Sequence, residues 1–219
     1  MKKILFFAIS LLLAGAVHAQ GYYYGPRHPK HPPRSQAQDF YKVKVGIAGG
    51  LSIANAVNAY NYSYNTGTIA AFHAGLTLDV PLLYPLSFEP EVLFSQKGYW
   101  ASTSDGNFTQ RSNFIDVPLL AKFRVGSNFN FVFGPQVSFP ISTTNIYDNG
   151  FVETAKENYN TTYDRTVWGG VAGFGIDINP YTEIRFRYTY DFSPTDDNNY
   201  YIPGYRNQTW QIGLGFKFQ

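Results

Sequence analysis

Eight stretches of this chain alternate apolar and polar residues with period two, at roughly 42–53, 68–80, 86–99, 111–125, 128–142, 165–179, 181–193 and 206–219. Such alternation puts successive side chains on opposite faces of a β-strand. Each run is about 12 to 16 residues long, whereas strands of globular proteins run about 5–6. A strand tilted at about 45° across a bilayer needs about 9–11 residues. The lengths therefore fit a membrane crossing with some overhang.

The two parities differ in kind. One is apolar: Val43, Val45, Ile47, Leu51 and Ile53 in the first run, Phe129, Phe131, Phe133, Val137, Phe139 and Ile141 in the fifth, and Trp210, Ile212, Leu214, Phe216 and Phe218 in the last. The other carries charge. Its acids are Asp79, Glu89, Glu91, Asp116, Asp177, Glu183 and Asp191; its bases are Lys42, Lys44, Lys97, Lys122, Arg124, Arg185, Arg187 and Lys217. Many glycines share this face, among them Gly46, Gly50, Gly173, Gly213 and Gly215.

Two closed sheets could use such strands. A soluble barrel would turn the apolar face inward; a membrane barrel would turn it to lipid. Eight strands enclose an interior only just wide enough for side chains. Eight sets of Phe, Trp and Leu would overfill it, while glycines and near-balanced acids and bases fit and can pair. Closure also satisfies every backbone group in hydrocarbon. The sequence predicts an all-β fold: an eight-stranded antiparallel up-and-down transmembrane β-barrel over residues 41–219, with a plugged polar lumen. Glu89, Glu91, Asp116, Lys122, Arg124, Arg185, Arg187 and Lys217 are expected to form a lumen ion-pair network.

The links between runs alternate in length. Pro81–Pro85, Gly126-Ser127 and Asn179-Pro180 are short, while 54–67, 100–110, 143–164 and 194–205 are long and polar. Tight turns on one side and long loops on the other are the layout of an outer-membrane barrel. An even strand number puts both termini on the short-turn, periplasmic side. Trp100, Trp168 and Trp210 then fall near the long-loop side with lipid-facing parity, as an interfacial girdle would.

The N-terminus reads as a secretory signal over residues 1–19. Lys2 and Lys3 precede the apolar run Ile4 to Val17, and Val17-His18-Ala19 offers the cleavage pattern. Cleavage would remove two of 17 Lys and Arg and none of 15 Asp and Glu, leaving a balanced mature chain with no electrostatic case for nucleic acid. Residues 20–40 form a Pro- and Tyr-rich periplasmic leader, expected to be disordered, whose His28 and His31 read as solvated rather than metal-bound. With no Cys, disulfides and thiolate metal sites are excluded.

Several segments together resemble the Bacteroidetes porin-family outer-membrane β-barrels, related to the PorT-like proteins. They are "VGIAGGLSIAN", "AAFHAGLTLDVPL", "LSFEPEVLFSQKGYW", "NFIDVPLLAKFRV", "FVFGPQVSFPIS", "GGVAGFGIDI" and "IRFRYTYDFS" with the terminal strand. The resemblance covers about residues 42–219. It implies an eight-stranded barrel in the outer membrane of a Gram-negative bacterium. The last strand also resembles a barrel-assembly signal, with Gln211, Gly213, Phe216 and Phe218 in place and Gln219 as a departure. This makes the barrel-assembly machinery an expected partner, beside outer-membrane lipid.

No cofactor or metal is expected. His73 is the only His of the barrel strands, Asp79 lies six residues along, and sequence spacing sets no Ser beside His73. No G-x-S-x-G occurs, so the chain does not read as an enzyme. The leading expectation is a structural or interaction barrel. The loops and leader are its candidate surfaces for an extracellular or periplasmic protein or glycan. A small-solute channel, or an accessory of a secretion or assembly machine, are the alternatives.

Overall fold

The computed structural model describes residues 41–58, 66–103, 106–148, 153–160, 166–194 and 205–218. The expected signal peptide, leader and loop tips, with His28 and His31, lie outside these residues. The described residues form ten strands: β1 (Lys44–Asn58), β2 (Thr66–Gly67), β3 (Ile69–Leu83), β4 (Leu86–Thr103), β5 (Gly106–Val125), β6 (Phe129–Asp148), β7 (Glu153–Asn160), β8 (Val167–Asn179), β9 (Thr182–Asp191) and β10 (Tyr205–Phe218). All pairings are antiparallel. The cycle β1-β3-β4-β5-β6-β8-β9-β10 closes on itself through the β1–β10 ladder, Val45↔Phe218 to Asn58↔Tyr205. These eight are the eight expected strands. The short β2 pairs with β4, and β7 pairs with β6 outside the cycle.

The ladder fixes the barrel's dimensions. Followed sideways from Trp168, the register passes Val137, Val117, Val92, Leu76, Ile47, Phe216 and Thr182 and returns to β8 at Asn179, just past a bulge. That is a shear of about 10 for eight strands, which sets a tilt of about 40° and a backbone radius of about 8 Å for strands about 4.8 Å apart.

The strands run further than alternation alone predicted. Parts of the expected links 100–110 and 143–164 are strand: β4 continues to Thr103, β5 begins at Gly106, β6 reaches Asp148, and β7 lies wholly inside a predicted loop. Their pairing is laced by side chains, with Gln110 Nε2 on Asn145 Oδ1 at 3.1 Å and Thr144 Oγ1 on Asn158 Oδ1 at 2.8 Å. Beyond the hydrocarbon a strand needs no apolar face, so these segments carry no period-two signature.

The two faces separate as the parities do. Val45, Ile47, Leu51, Phe72, Leu76, Phe131, Phe133, Trp168, Ile212 and Phe218 are exposed on the outer wall, while Ser52, Asp79, Glu89, Lys97, Lys122 and Arg185 are buried inside. From Trp168 to the ladder's return on β8, about ten residues at that tilt span about 25 Å. That is the height of the apolar band of an outer-membrane barrel.

Candidate functional site

The interior holds the molecule's chemistry, and it is layered. Seven bases and seven acids of the described strands face inward: Lys44, Lys97, Lys122, Arg124, Arg185, Arg187 and Lys217 against Asp79, Glu89, Glu91, Asp116, Asp177, Glu183 and Asp191. Ten of them join into one network in the periplasmic half. Lys122 Nζ lies 2.5 Å from Glu89, 3.1 Å from Glu183 and 4.0 Å from Asp79. Arg124 pairs with the same Asp79 at 2.6 Å, and Lys217 bridges Asp177 at 2.6 Å and Glu183 at 2.9 Å. Arg185 reaches Glu91 directly and Glu89 at 3.5 Å; Arg187 comes within 3.7 Å of Glu89. Asn130 Nδ2 donates to Glu183 at 2.9 Å. Five acids face five bases, so the network balances in formal charge, with Lys44 buried beside Asp79. That balance is what makes a buried interior tolerable to charge, since a lone buried ion costs several kcal/mol.

Seven of the eight residues singled out from sequence lie in this layer. Asp116 does not. It sits nearer the outer end with Lys97, at 3.1 Å, and Asp191 lies 3.5 Å from the same ammonium. All three are at most 1% exposed. Lys97 also donates to Ser138 Oγ at 3.1 Å and stands 4.8 Å over the Phe114 ring, while Asn207 Nδ2 donates to Asp191 at 2.8 Å. The separation follows from strand tilt, which sets Asp116 beside Lys97 and carries Lys122 down to Glu89. Asp79, Asp177 and Glu183 complete the lower layer. Their inward parity was legible, but their partners depend on the register of distant strands.

Apolar groups also enter the lumen. Leu120, Val132 and Val171 pack together, fully or nearly buried. At the outer mouth, Tyr99, Tyr205, Ala56 and Ala101 cluster with Phe108 against them. Tyr99 and Tyr205 meet edge-on at 4.9 Å between centroids.

His73 has a neighbour that spacing did not supply. Ser52 Oγ lies 3.0 Å from His73 Nδ1, with Ser52 at 1% and His73 at 6% exposure. The β1–β3 register places Ser52 across from Ala71, diagonally beside His73. Contact arises from pairing of strands 21 residues apart.

On the outer wall, Trp168 and Trp210 lie within about 4 Å in height by the ladder geometry, and Trp100 stands about 10 Å further out. Trp100 packs over Gly67 of β2, where a Cβ would come within 2.6 Å of its ring. At the other rim Tyr41, Tyr84 and Tyr181 are all exposed, a second set of aromatics that sequence reasoning passed over. Their signal was a Tyr in or beside two of the three tight turns, with Tyr41 just before the first strand, which suits a membrane–water interface.

The last strand is the closing seam. Gln211 and Gly213 face inward; Phe216 and Phe218 face out. Gly213 stands opposite Gly50 on one side and Arg185 on the other, and a Cβ there would lie 3.1 Å from Gly50 Cα.

A closed eight-stranded barrel with a lipid-height apolar belt outside and paired charges inside defines an integral barrel of the bacterial outer membrane. The chain belongs to the outer membrane protein beta-barrel domain family, whose model matches residues 35–197. Among solved structures it is similar to Neisserial surface protein A, with 15% identity over 80% of this chain and 97% of that chain and a TM-score of 0.50. It is also similar to Ail of Yersinia pestis, solved with the heparin analogue sucrose octasulfate (15%, 81% and 99%, TM-score 0.48), and to OprG of Pseudomonas aeruginosa (12%, 80% and 96%, TM-score 0.43). At these identities the likeness is one of fold. No curated protein matches the chain.

Proposed function

We propose that this protein is a plugged outer-membrane barrel with a structural or interaction role, which presents surfaces beyond the bilayer and offers no open path through it. The observation that supports this reading most is the neutral ten-charge network, which ties β3, β4, β5, β8, β9 and β10 together across the lumen. The lumen of an eight-stranded barrel is only just wide enough for such side chains. The inner apolar cluster and the aromatic group at the mouth add two further obstructions.

The same burial argues against an enzyme. Ser52 and His73 form a dyad that no substrate from either aqueous side could reach without displacing the packed interior. A finer kinship, to the Bacteroidetes porin-family and PorT-like barrels, rests on the run of segments quoted above. It would make the leader at 20–40 a periplasmic contact for an assembly or secretion partner. Gln211, Gly213, Phe216 and Phe218 are assigned here as the signal read by the barrel-assembly machinery.

Swelling of liposomes carrying the purified protein tests the plug. No uptake of small sugars or amino acids is expected. Swelling at rates typical of a diffusion porin would replace this reading with a channel. Crosslinking through the leader in intact cells tests the accessory role.

A further inference from the structure

The outer wall changes character abruptly on three adjacent strands. Going outward, Phe94 gives way to Gln96 on β4, Ile115 to Asn113 on β5, and Ile141 to Ser142 on β6. These three polar residues form one row. Gln96 Nε2 donates to Asn113 Oδ1 at 3.1 Å, and Asn113 Nδ2 donates to Ser142 Oγ at 3.0 Å. A β-bulge between Asn113 and Phe114 sits at the same level and re-aims the side chains of β6 above it.

Beyond this row the wall continues as sheet. Six residues of β5 from Asn113 to Asn107 add about 15 Å of height. The outward side chains are Trp100 and Ser102 on β4, Arg111, Thr109 and Asn107 on β5, Thr144 and Ile146 on β6, and Lys156 and Asn158 on β7. Across the barrel the described parts of β8 and β9 stop near the level of Trp168. Among the described residues, β4–β7 thus stand taller than β8 and β9.

The chemistry of that side is specific. Amides and hydroxyls (Ser102, Asn107, Thr109, Thr144 and Asn158) outnumber the two apolar side chains, Trp100 and Ile146. Its charges are the cations Arg111 and Lys156, and among the described outward residues no carboxylate appears below Asp148 at the top. Arg111 is held in place: Nη1 donates to Ala70 O at 2.9 Å and to Gln96 Oε1 at 3.2 Å. Both bonds use one nitrogen of a fork that carries five N–H donors and suits phosphate geometry.

We propose that the outward face of β4–β7 above the Gln96–Asn113–Ser142 row binds the phosphorylated sugar headgroup of a glycolipid in the outer leaflet of the same membrane. The face begins where the lipid belt ends, so an anchored glycolipid whose acyl chains lie on the belt brings its headgroup to this height. Amides and hydroxyls then meet sugar hydroxyls, and the remaining donors of the Arg111 fork take a phosphate. The inference concerns the outer wall and holds whether or not the lumen is plugged.

The test uses the folded full-length protein and native mass spectrometry of retained lipid. The probes are rough-type lipopolysaccharide, the same lipid after dephosphorylation, and phosphatidylethanolamine. The phosphorylated glycolipid is expected to be retained, with at least a fivefold loss on dephosphorylation. Arg111→Ala should lower retention at least fivefold, while Lys42→Ala, at the periplasmic end, should match the unsubstituted protein. Equal retention of phosphorylated and dephosphorylated lipid would overturn the proposal. So would an Arg111→Ala protein that binds as well as the original, or a Lys42→Ala protein that loses as much. If Arg111→Ala does not fold, the dephosphorylation comparison on the original protein decides alone.

Discussion

Gly173 on β8 stands directly across the ladder from Arg187 on β9, and the missing side chain is what seats the arginine. A Cβ on Gly173 would lie 2.7 Å from Arg187 Cδ and closer still to Phe186 O. Arg187 instead lies along the strand and donates from Nη1 to Phe174 O at 2.8 Å and Phe186 O at 3.0 Å. Arg185 is seated in a similar way over Gly215 of β10, where a Cβ would lie 3.1 Å from Arg185 Cδ. Glycines on the charged parity are thus sockets for long side chains.

Gly173→Val is therefore expected to overpack the lumen and cost about 1–3 kcal/mol. Ala172→Val, one residue away on the exposed outer wall, should change stability far less. Urea titration of the heat-modifiable band on a gel measures both.

Lys122 is the hub of the lower network. Lys122→Met would leave Glu89 and Glu183 without their closest common cation and is expected to destabilise the barrel by about 3–5 kcal/mol. Adding Glu89→Gln should restore part of the loss, because the two sites share one interaction. Additive losses in that cycle would show that the pair does not couple. Arg187→Ala should likewise weaken folding more than it changes solute flux.

Depth in the bilayer can be read from arginine substitutions on the outer wall. Leu76 lies near mid-belt and Ile53 near the outer edge by the ladder geometry, and both are exposed. Leu76→Arg should cost about 2–4 kcal/mol and Ile53→Arg about 0–1. Equal costs in lipid vesicles would mean the belt is misplaced.

The three tryptophans offer an optical measure of the same geometry. In single-Trp proteins, lipids brominated near the headgroup should quench Trp168 and Trp210 strongly and Trp100 weakly, since Trp100 stands about 10 Å further out. Uniform quenching would put all three in one ring.

Much of this architecture was legible in the sequence. Inside a bilayer every outward position must be apolar and every inward charge must find a partner, so the parity of Ile47, Leu76 or Trp210 could mean little else. The pattern faded where that constraint lifts. Residues 143–148 and 153–160 pair as strands through amides and hydroxyls, which also read as loop. Pairing partners were hidden for a different reason. Lys97 meets Asp116 and Ser52 meets His73 only because the shear of the closed sheet brings distant strands to one height. Tyr41, Tyr84 and Tyr181 stood out less than the three tryptophans because the chain holds 18 tyrosines, many of them in the polar links.

The central claim is that the paired charges of the lumen close it. Single-channel recording of the purified protein in planar bilayers tests this most directly. The protein is expected to insert without discrete, ion-selective current steps at neutral pH, and Lys122→Met to add unstable openings at most. Large, steady and selective conductance from the unsubstituted barrel would contradict the claim.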